Sequence, residues 1–331
     1  MYSFNAGYGS GPSSALARDT KGNLYGATYR GGAYGPYGVI FKLDKKGNET
    51  VLYSFKGQRG GQYPSGVTLD DMGNLYGTTP GGGNGTDCAE GCGTVFKLDK
   101  SGRKKVLYNF NFGTDGGAPY SGVIRDKAGN LYGTTSWGGD LSCNNGYGCG
   151  TVFMLDTAGK ETVLYSFTDP TDGSQRDAGV IRDSAGNFYG TTNEGGDLSC
   201  GWFGCGTVFR LDTNGNETVL HSFTGTGGDG AYPHAGVVRD PQGNLYGTTI
   251  AGGGGDCSYG TEPGCGTVFM LDTTGKETIL HDFAGSPDGA FPTGLIRDAA
   301  GDLYGATAAD GSPDCRRRFF GSCGTVFKLT P

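Results

Sequence analysis

The chain has 331 residues and a formal net charge of −7 at pH 7, so it lacks the excess of basic residues that binds nucleic-acid phosphates. Its 68 glycines and 13 prolines make up about a quarter of the residues, which approaches the composition of low-complexity disordered proteins. The glycines nevertheless recur at fixed positions between apolar segments, and this regularity favours a folded repeat protein. No run of about 18 apolar residues occurs, so the sequence predicts no membrane-spanning helix.

The chain repeats one unit six times, with a mean period of about 56 residues. Each complete unit contains four short segments rich in β-branched and aromatic residues, as in GVIRD, NLYGTT, GTVFMLD and ETVLYSF. An Asp-x-x-Gly turn separates the first two segments, at residues 126–129, and another separates the last two, at residues 156–159. Asp begins a type I turn and Gly adopts the left-handed conformation that follows it, so both turns predict tight hairpins. Each unit is therefore predicted to be a four-stranded antiparallel meander.

Meanders with apolar residues on both faces need cover on both sides, and a ring of similar blades supplies that cover. The chain begins with the fourth segment alone, at residues 2–4, and ends with the third, at Val326–Leu329. We therefore predict a single all-β domain over residues 1–331. It is a six-bladed β-propeller in which the N-terminal strand completes the last blade and closes the ring. The predicted blades cover residues 12–55, 66–110, 122–167, 179–223, 236–283 and 294–329 plus 2–4.

The repeats resemble the GloVer tandem repeat of bacterial choice-of-anchor proteins. The resemblance rests on GTVFKLD-x-x-G-x-ETVLYSF, followed by a DG-x-x-P loop and GLIRD-x-x-GNLYGTT, and it covers essentially the whole chain. It implies an exported, surface-associated bacterial protein, because family members carry C-terminal anchors. This chain ends at Pro331 without such an anchor, which leaves the mode of attachment open. The resemblance implies no general biochemical activity.

The ten cysteines form five pairs, one in each of the last five repeats, between the second and third segments. Spacing within a pair varies, whereas a structural zinc site needs four ligands at nearly fixed spacing, and no His lies in these loops. A catalytic Cys would occur once and would need a neighbouring base. We therefore predict that each pair is a disulfide at the neck of a loop, and that the protein is secreted or at the cell surface. The predicted pairs are Cys88/Cys92, Cys143/Cys149, Cys200/Cys205, Cys257/Cys265 and Cys315/Cys323.

In a propeller of this kind, the loops between second and third strands share one face with the crossovers between blades. All aromatic residues outside the repeat framework lie in these connections, where acidic residues also outnumber basic ones. Exposed aromatic rings stack on the C–H faces of sugars, and carboxylates accept hydrogen bonds from hydroxyls or could hold Ca²⁺. The candidate ligand-binding residues are Trp137, Trp202, Tyr147, Tyr259, Asp140, Asp197 and Asp256.

Other residues at repeated positions are interpreted as framework. The DG crossovers contain Asp residues that are expected to form turns. His221 and His281 take the Tyr position of the YSF segment. The aromatic residues before crossover prolines are expected to pack. These turn and packing residues are Asp115, Asp172, Asp229, Asp288, Tyr63, Tyr232 and Phe291.

The leading functional hypothesis is a monomeric extracellular protein that binds a glycan or another extracellular ligand, and that does not bind nucleic acid. A structural or protein-binding surface scaffold is the first alternative. The second is a polysaccharide-cleaving hydrolase or lyase that uses loop carboxylates, although spacing singles out no acid–base pair. The sequence identifies no catalytic residues and no definite cofactor, and Ca²⁺ is the one candidate that the loop carboxylates could hold.

Overall fold

A computed structural model describes residues 9–12, 16–85, 87–168, 171–174, 178–201, 203–260, 262–309 and 324–331. Within these ranges the chain forms β-strands and three short 3-10 helices, without an α-helix. None of the helices described is long and apolar enough to cross a membrane. The 3-10 helices are Gln58–Gly60, Asn144–Gly146 and Leu198–Cys200.

The protein is a six-bladed β-propeller, as the sequence predicts. Its chain divides into two compact units, Met1–Thr168 and Asp169–Pro331, and each contains three antiparallel blades. The assignment of the whole chain to a single domain stays a prediction. So does closure by residues 2–4, which lie outside the described residues.

The first unit contains blades 1 to 3, and the strands of each blade pair in chain order. Blade 1 consists of Ala17–Arg18, Leu24–Arg30, Val39–Leu43 and Glu49–Ser54, with Ser10–Pro12 paired to its second strand. Blade 2 consists of Gly66–Leu69, Leu75–Thr79, Thr94–Leu98 and Lys104–Asn109. Blade 3 consists of Ile124–Arg125, Leu131–Thr135, Thr151–Leu155 and Glu161–Ser166.

The second unit contains blades 4 to 6. Blade 4 consists of Ile181–Arg182, Phe188–Thr192, Thr207–Leu211 and Glu217–Ser222. Blade 5 consists of Val238–Arg239, Leu245–Thr249, Thr267–Leu271 and Glu277–Asp282. The described strands of blade 6 are Ala290–Arg297, Leu303–Ala309 and Val326–Leu329. Two short ladders lie outside the blades of this unit, around the loop of blade 5. Gly230–Ala231 pairs with Ala251–Gly252, and Ser258–Tyr259 pairs with Glu262–Pro263.

The hairpin between first and second strands is closed by its Asp, Asn and Tyr side chains. In blade 2, Asp70 Oδ1 accepts hydrogen bonds from the backbone N–H groups of Met72 (3.0 Å) and Asn74 (2.8 Å). Its Oδ2 accepts from Asn74 Nδ2 at 2.8 Å and from the Tyr76 hydroxyl at 3.1 Å. Burial alone would raise the pKa of Asp70, but these hydrogen bonds outweigh burial and lower it. This network explains why the sequence D-x-x-G-N-[LF]-Y recurs.

In each blade, a Gly of the second strand lies opposite a Phe of the third strand. The ring of this Phe also contacts a Phe of the preceding blade where both blades belong to one unit. In blade 3, Gly133 lies opposite Phe153, and a Cβ at Gly133 would lie 2.8 Å from Phe153 Cζ. The Phe153 ring also packs edge-to-face against Phe110 of blade 2, with ring centroids 5.2 Å apart. Both rings are fully buried, so this contact ties neighbouring blades together. The equivalent contacts are Phe55–Phe96, Phe223–Phe269 and Phe283–Phe327.

We expect Gly133→Ala to lower the free energy of unfolding by about 1–3 kcal/mol, because the added methyl group displaces a buried ring that has no space to move. Urea unfolding with the disulfides intact measures the change. Gly60→Ala is the matched control, since no atom lies within 4 Å of a Cβ at that position. It should cost no more than about 0.5 kcal/mol. Equal costs for the two variants would contradict the packing role of Gly133.

Candidate functional site

Four of the five predicted disulfides are present in the described part of the chain: Cys88–Cys92, Cys143–Cys149, Cys200–Cys205 and Cys257–Cys265. Each closes the loop between the second and third strands of its own blade, as predicted. The residues of the fifth predicted pair, Cys315 and Cys323, lie outside the described residues. Four disulfides indicate an extracytoplasmic protein.

In blades 2, 4 and 5, the second cysteine of the clipped loop makes a hydrogen bond with the crossover that follows. In blade 2, the Cys92 carbonyl accepts a hydrogen bond from the backbone N–H of Ala118 at 2.8 Å. The residues that follow Cys92 and Ala118 are also closely packed, because a Cβ at Gly93 would lie 2.6 Å from Cδ of Pro119. In the second unit, the N–H groups of the matching pre-proline residues donate to cysteine carbonyls at 2.8 Å. These pairs are Tyr232 with Cys205 and Phe291 with Cys265.

Loops and crossovers of the first unit line one open cleft of about 360 Å³, which we call the aromatic cleft. Its walls come from the end of the second strand of blade 1, from the second-to-third-strand loops of blades 2 and 3, and from the crossovers between these blades. The predicted clustering of both kinds of connection is therefore present within this unit. The side chains that give the cleft its chemistry are Tyr29, Tyr63, Phe112, Tyr120, Trp137, Tyr147, Asp87 and Glu90.

Phe112 stands between the two predicted aromatic residues of this cleft. Its ring packs edge-to-face against Trp137 and Tyr147, with centroid distances of 6.2 and 6.4 Å. On another part of the wall, the rings of Tyr29 and Tyr63 stack with centroids 4.8 Å apart and planes inclined by 15°. Trp137 is 36% exposed and Tyr147 is 59% exposed, so both present ring surface to solvent.

The cleft also contains the carboxylic acids Asp87 and Glu90. Glu90 Oε2 accepts a hydrogen bond from Gln62 Nε2 at 3.1 Å, which fixes the direction of its carboxylate. A second lone pair of that oxygen and the other oxygen can accept further hydrogen bonds. Exposed aromatic rings beside oriented acceptors are suited to a ligand with both C–H surface and hydroxyl groups.

Two of the predicted acidic residues use their carboxylates to hydrogen-bond the backbone of their own loops. Asp140 Oδ1 accepts a hydrogen bond from the Ser142 N–H at 2.8 Å, and Asp197 Oδ1 accepts one from the Ser199 N–H at 2.8 Å. Hydrogen bonding to the side chains of Ser142 and Ser199, and then to their backbone N–H groups, lowers the pKa of both carboxyl groups. Neither residue lines the aromatic cleft. Their role in ligand binding stays a prediction.

The remaining predicted residues belong to the second unit. Tyr259 is exposed at the tip of its loop, and its ring packs edge-to-face against His234 at 6.1 Å and Phe291 at 5.8 Å. Asp256 is exposed in the same loop. Trp202 lies outside the described residues. A binding role for these three residues also stays a prediction.

Several aromatic residues that line the aromatic cleft were not predicted as site residues from the sequence. Phe112 and Tyr120 are in a crossover, and Tyr29 is at the end of a strand. Tyr63 was expected only to pack, and it does so, with φ of 63° and its ring stacked on Tyr29, but it also lines the cleft. For Tyr29, Phe112 and Tyr120, the available signal was that no other repeat has Phe, Tyr or Trp at the same position.

A second group of ionisable residues lies between the fourth strands of neighbouring blades. The Tyr108 hydroxyl of blade 2 donates a hydrogen bond to Asp115 Oδ2 at 2.8 Å. Glu161, the first residue of the fourth strand of blade 3, lies near Asp115, and its Oε1 is buried without a hydrogen-bond partner. Burial, and then the negative charge of Asp115, raises the pKa of Glu161 to about 7. Glu217 repeats this pattern beside Asp172, with its pKa also raised to about 7.

The profile of the Gloeobacter/Verrucomicrobia repeat matches residues 1–203 and 141–331, which together span the chain. This confirms the resemblance inferred from the repeat motifs. The chain has no significant match among curated proteins.

Solved structures with the same fold include three enzymes. The PQQ-bound aldose sugar dehydrogenase from Streptomyces coelicolor is 11% identical with a TM-score of 0.60, covering 98% of this chain and 95% of its own. A luciferin-regenerating enzyme is 14% identical with a TM-score of 0.55, covering 98% and 92%. A gluconolactonase from Xanthomonas campestris is 13% identical with a TM-score of 0.54, covering 91% and 84%. At these identities the likeness is one of fold.

We expect Cys143→Ser/Cys149→Ser to lower the free energy of unfolding by about 2 kcal/mol, because the bridge closes only a short loop. The larger effect is local, since Asn144 and Asn145 are both in the left-handed region, with φ of 51° and 54°. Limited chymotrypsin digestion should cleave after Tyr147 much faster than in the wild type. Cys88→Ser/Cys92→Ser should leave cleavage at Tyr147 unchanged. If cleavage after Tyr147 is no faster in Cys143→Ser/Cys149→Ser than in the wild type, this disulfide does not hold the loop in place.

We also expect Glu161→Gln to change how stability depends on pH. The folded state holds the Glu161 proton more tightly than the unfolded state, with a pKa of about 7 against 4.5. Its carboxyl therefore costs nothing below pH 4.5 and destabilises the fold progressively as pH rises towards 7. The variant should match the wild type near pH 4 and exceed it by about 1–2 kcal/mol at pH 8, after screening of a half-buried group.

Urea unfolding across this pH range measures the difference between Glu161→Gln and the wild type. Asp71→Asn provides the control, because Asp71 is an exposed carboxylate in a hairpin turn. A constant offset between Glu161→Gln and the wild type at all pH values would be inconsistent with a buried, protonated Glu161.

Proposed function

The chain belongs to the Gloeobacter/Verrucomicrobia repeat family, and we propose that it is a secreted or cell-surface protein that binds carbohydrate in the aromatic cleft. One observation carries the proposal: six aromatic side chains and two carboxylic acids line a single open cleft of about 360 Å³. This volume is within the range of small-molecule sites, about 300–1,000 Å³. It suits a few sugar rings of a longer chain.

The aromatic surface supplies most of the expected affinity. Trp137 and Tyr147 both pack edge-to-face against Phe112, and the exposed part of each ring can stack on the C–H surface of a pyranose ring. A buried aromatic anchor of this kind contributes at least about 1 kcal/mol to binding. Several anchors along one wall favour an extended ligand over a single sugar.

The charge of the cleft selects among carbohydrates. Asp87 and Glu90 provide acceptors for sugar hydroxyl groups, while their negative charge repels carboxylate and sulfate groups. The formal net charge of the chain, −7, acts in the same direction. The ligand is therefore a neutral polysaccharide segment rather than a uronic acid polymer.

The disulfides keep the cleft ready for binding. Cys88–Cys92 and Cys143–Cys149 fix the loops that carry Glu90 and Tyr147. Loops that are ordered before binding lose less conformational entropy when the ligand arrives. Disulfides persist in the oxidising environment outside the cell, so the cleft would stay rigid where the protein is proposed to bind its ligand.

We expect Trp137→Ala to weaken binding of a neutral glycan by about tenfold or more, because a stacking face is lost. The same change should cost no more than about 1 kcal/mol of stability, since the ring is 36% exposed. A glycan array, run with calcium and with chelator, identifies the ligand, and calorimetry then measures the dissociation constants.

Phe203→Ala is the matched control, because Phe203 is an aromatic residue 59% exposed in a loop of blade 4 and does not line the cleft. Its affinity should equal that of the wild type. Assays for reducing sugars and for unsaturated products, run on the same glycans, detect turnover. Turnover would make the cleft catalytic, and no glycan retention at all would favour the scaffold. If Trp137→Ala binds the glycan as tightly as the wild type, the binding site lies outside the aromatic cleft.

A further inference from the structure

Blade 4, its crossover and blade 5 bring together one histidine and two carboxylic acids. His221 is in the fourth strand of blade 4, Asp229 is in the crossover that follows, and Glu277 begins the fourth strand of blade 5. Their ligand atoms all lie within 4.8 Å of one another. In the described part of the chain, this is the one cluster in which three His, Cys, Asp or Glu residues meet in this way.

His221 Nε2 lies within ion-pair distance of both carboxylic acids but forms no hydrogen bond with either. It lies 3.7 Å from Asp229 Oδ1 and 3.7 Å from Glu277 Oε2, beyond hydrogen-bond distance. Among the described residues, His221 Nε2, Asp229 Oδ1 and Glu277 Oε1 are buried and accept or donate no hydrogen bond. The side chains are only 18%, 15% and 14% exposed. Buried polar atoms without partners are costly, so their convergence calls for an explanation.

Blades 2 and 5 show that the fold does not require these long separations around His221. At the equivalent position of blade 2, the Tyr108 hydroxyl reaches the crossover carboxylate of Asp115 directly, at 2.8 Å. In blade 5, His281 Nε2 lies 3.0 Å from Asp288 Oδ2, within hydrogen-bond distance. The separation around His221 is therefore a property of this cluster and does not result from a histidine at this strand position.

We propose that His221, Asp229 and Glu277 bind a divalent transition-metal cation such as Zn²⁺ or Mn²⁺. Nitrogen and oxygen ligands bonded to such a cation at about 2.0–2.2 Å lie roughly 3–3.5 Å from one another, so small side-chain movements would complete the site. Two carboxylates and a neutral imidazole balance the charge of the cation.

The donor set decides the class of metal. An imidazole nitrogen suits Zn²⁺, and the two carboxylates also suit Mn²⁺, whereas Ca²⁺ and Mg²⁺ prefer sites made of oxygen ligands alone. Three protein ligands leave coordination positions for water. The other carboxylate oxygen of Asp229 accepts hydrogen bonds from the Thr224 N–H (2.7 Å) and hydroxyl (2.8 Å), which orient the ligand oxygen. A metal here would join the outer strands of two successive blades.

The test uses full-length, untagged, oxidised protein that has been stripped with a chelator. Calorimetric titration with Zn²⁺ and separately with Mn²⁺, together with metal analysis after dialysis, measures binding. The wild type should bind at least one of the two metals, and His221→Tyr should weaken that binding by at least about 100-fold, because it removes a direct ligand. The bound metal should also raise the thermal midpoint of the wild type.

Two further variants keep the test decisive. His281→Tyr makes the same chemical change one blade further on and should bind metal as the wild type does. Glu277→Gln preserves the shape of the side chain, so lost binding in this variant reports the ligand rather than misfolding. The proposal is overturned if the wild type binds neither metal below millimolar concentration, or if His221→Tyr and Glu277→Gln bind as tightly as the wild type.

Discussion

The contact between a third-strand Phe and the Gly beside it underlies the whole framework. Because Gly133 has no side chain, the Phe153 ring can lie across the neighbouring strand and reach Phe110 of the preceding blade. The same arrangement sets the distance between successive blades within each unit. This is the physical reason for the recurrence of Gly in LYGTT and of Phe in GTVF. A packing density close to that of a crystal leaves these positions little freedom to vary.

The functional surface follows from the way the loops are attached to that framework. The cysteine carbonyl and the next Gly hold the proline of the following crossover, as in Cys92, Gly93 and Pro119. Loops and crossovers are therefore built next to each other, and their side chains form a common wall. In the first unit that wall is aromatic and acidic, whereas in the second unit a histidine and two acids converge between strands.

Much of this could be predicted from the sequence, because repeated motifs report local rules. The hairpin at Asp70, the pairing of Cys143 with Cys149 and the blade boundaries all depend on residues close together in the chain. Trp137 and Tyr147 were also predicted as site residues, and they do line one cleft. Their neighbour Phe112 differs from the equivalent residues of the other repeats, but its packing against both rings could not be predicted, because that contact depends on how one blade is rotated against the next. The long separations around His221 likewise differ from the hydrogen-bonded contacts of blades 2 and 5 by less than 1 Å, and no repeat pattern encodes so small a difference.

The clipped loops differ in length, with paired cysteines 4, 6, 5 and 8 residues apart, yet each leaves and re-enters its blade at the same two points. A segment inserted there changes neither the strand register nor the interior packing. Mutation and recombination can therefore exchange these segments among repeats, or between family members, while the scaffold continues to fold. Such a protein can acquire new recognition properties one blade at a time, in the way that antibody domains vary their hypervariable loops.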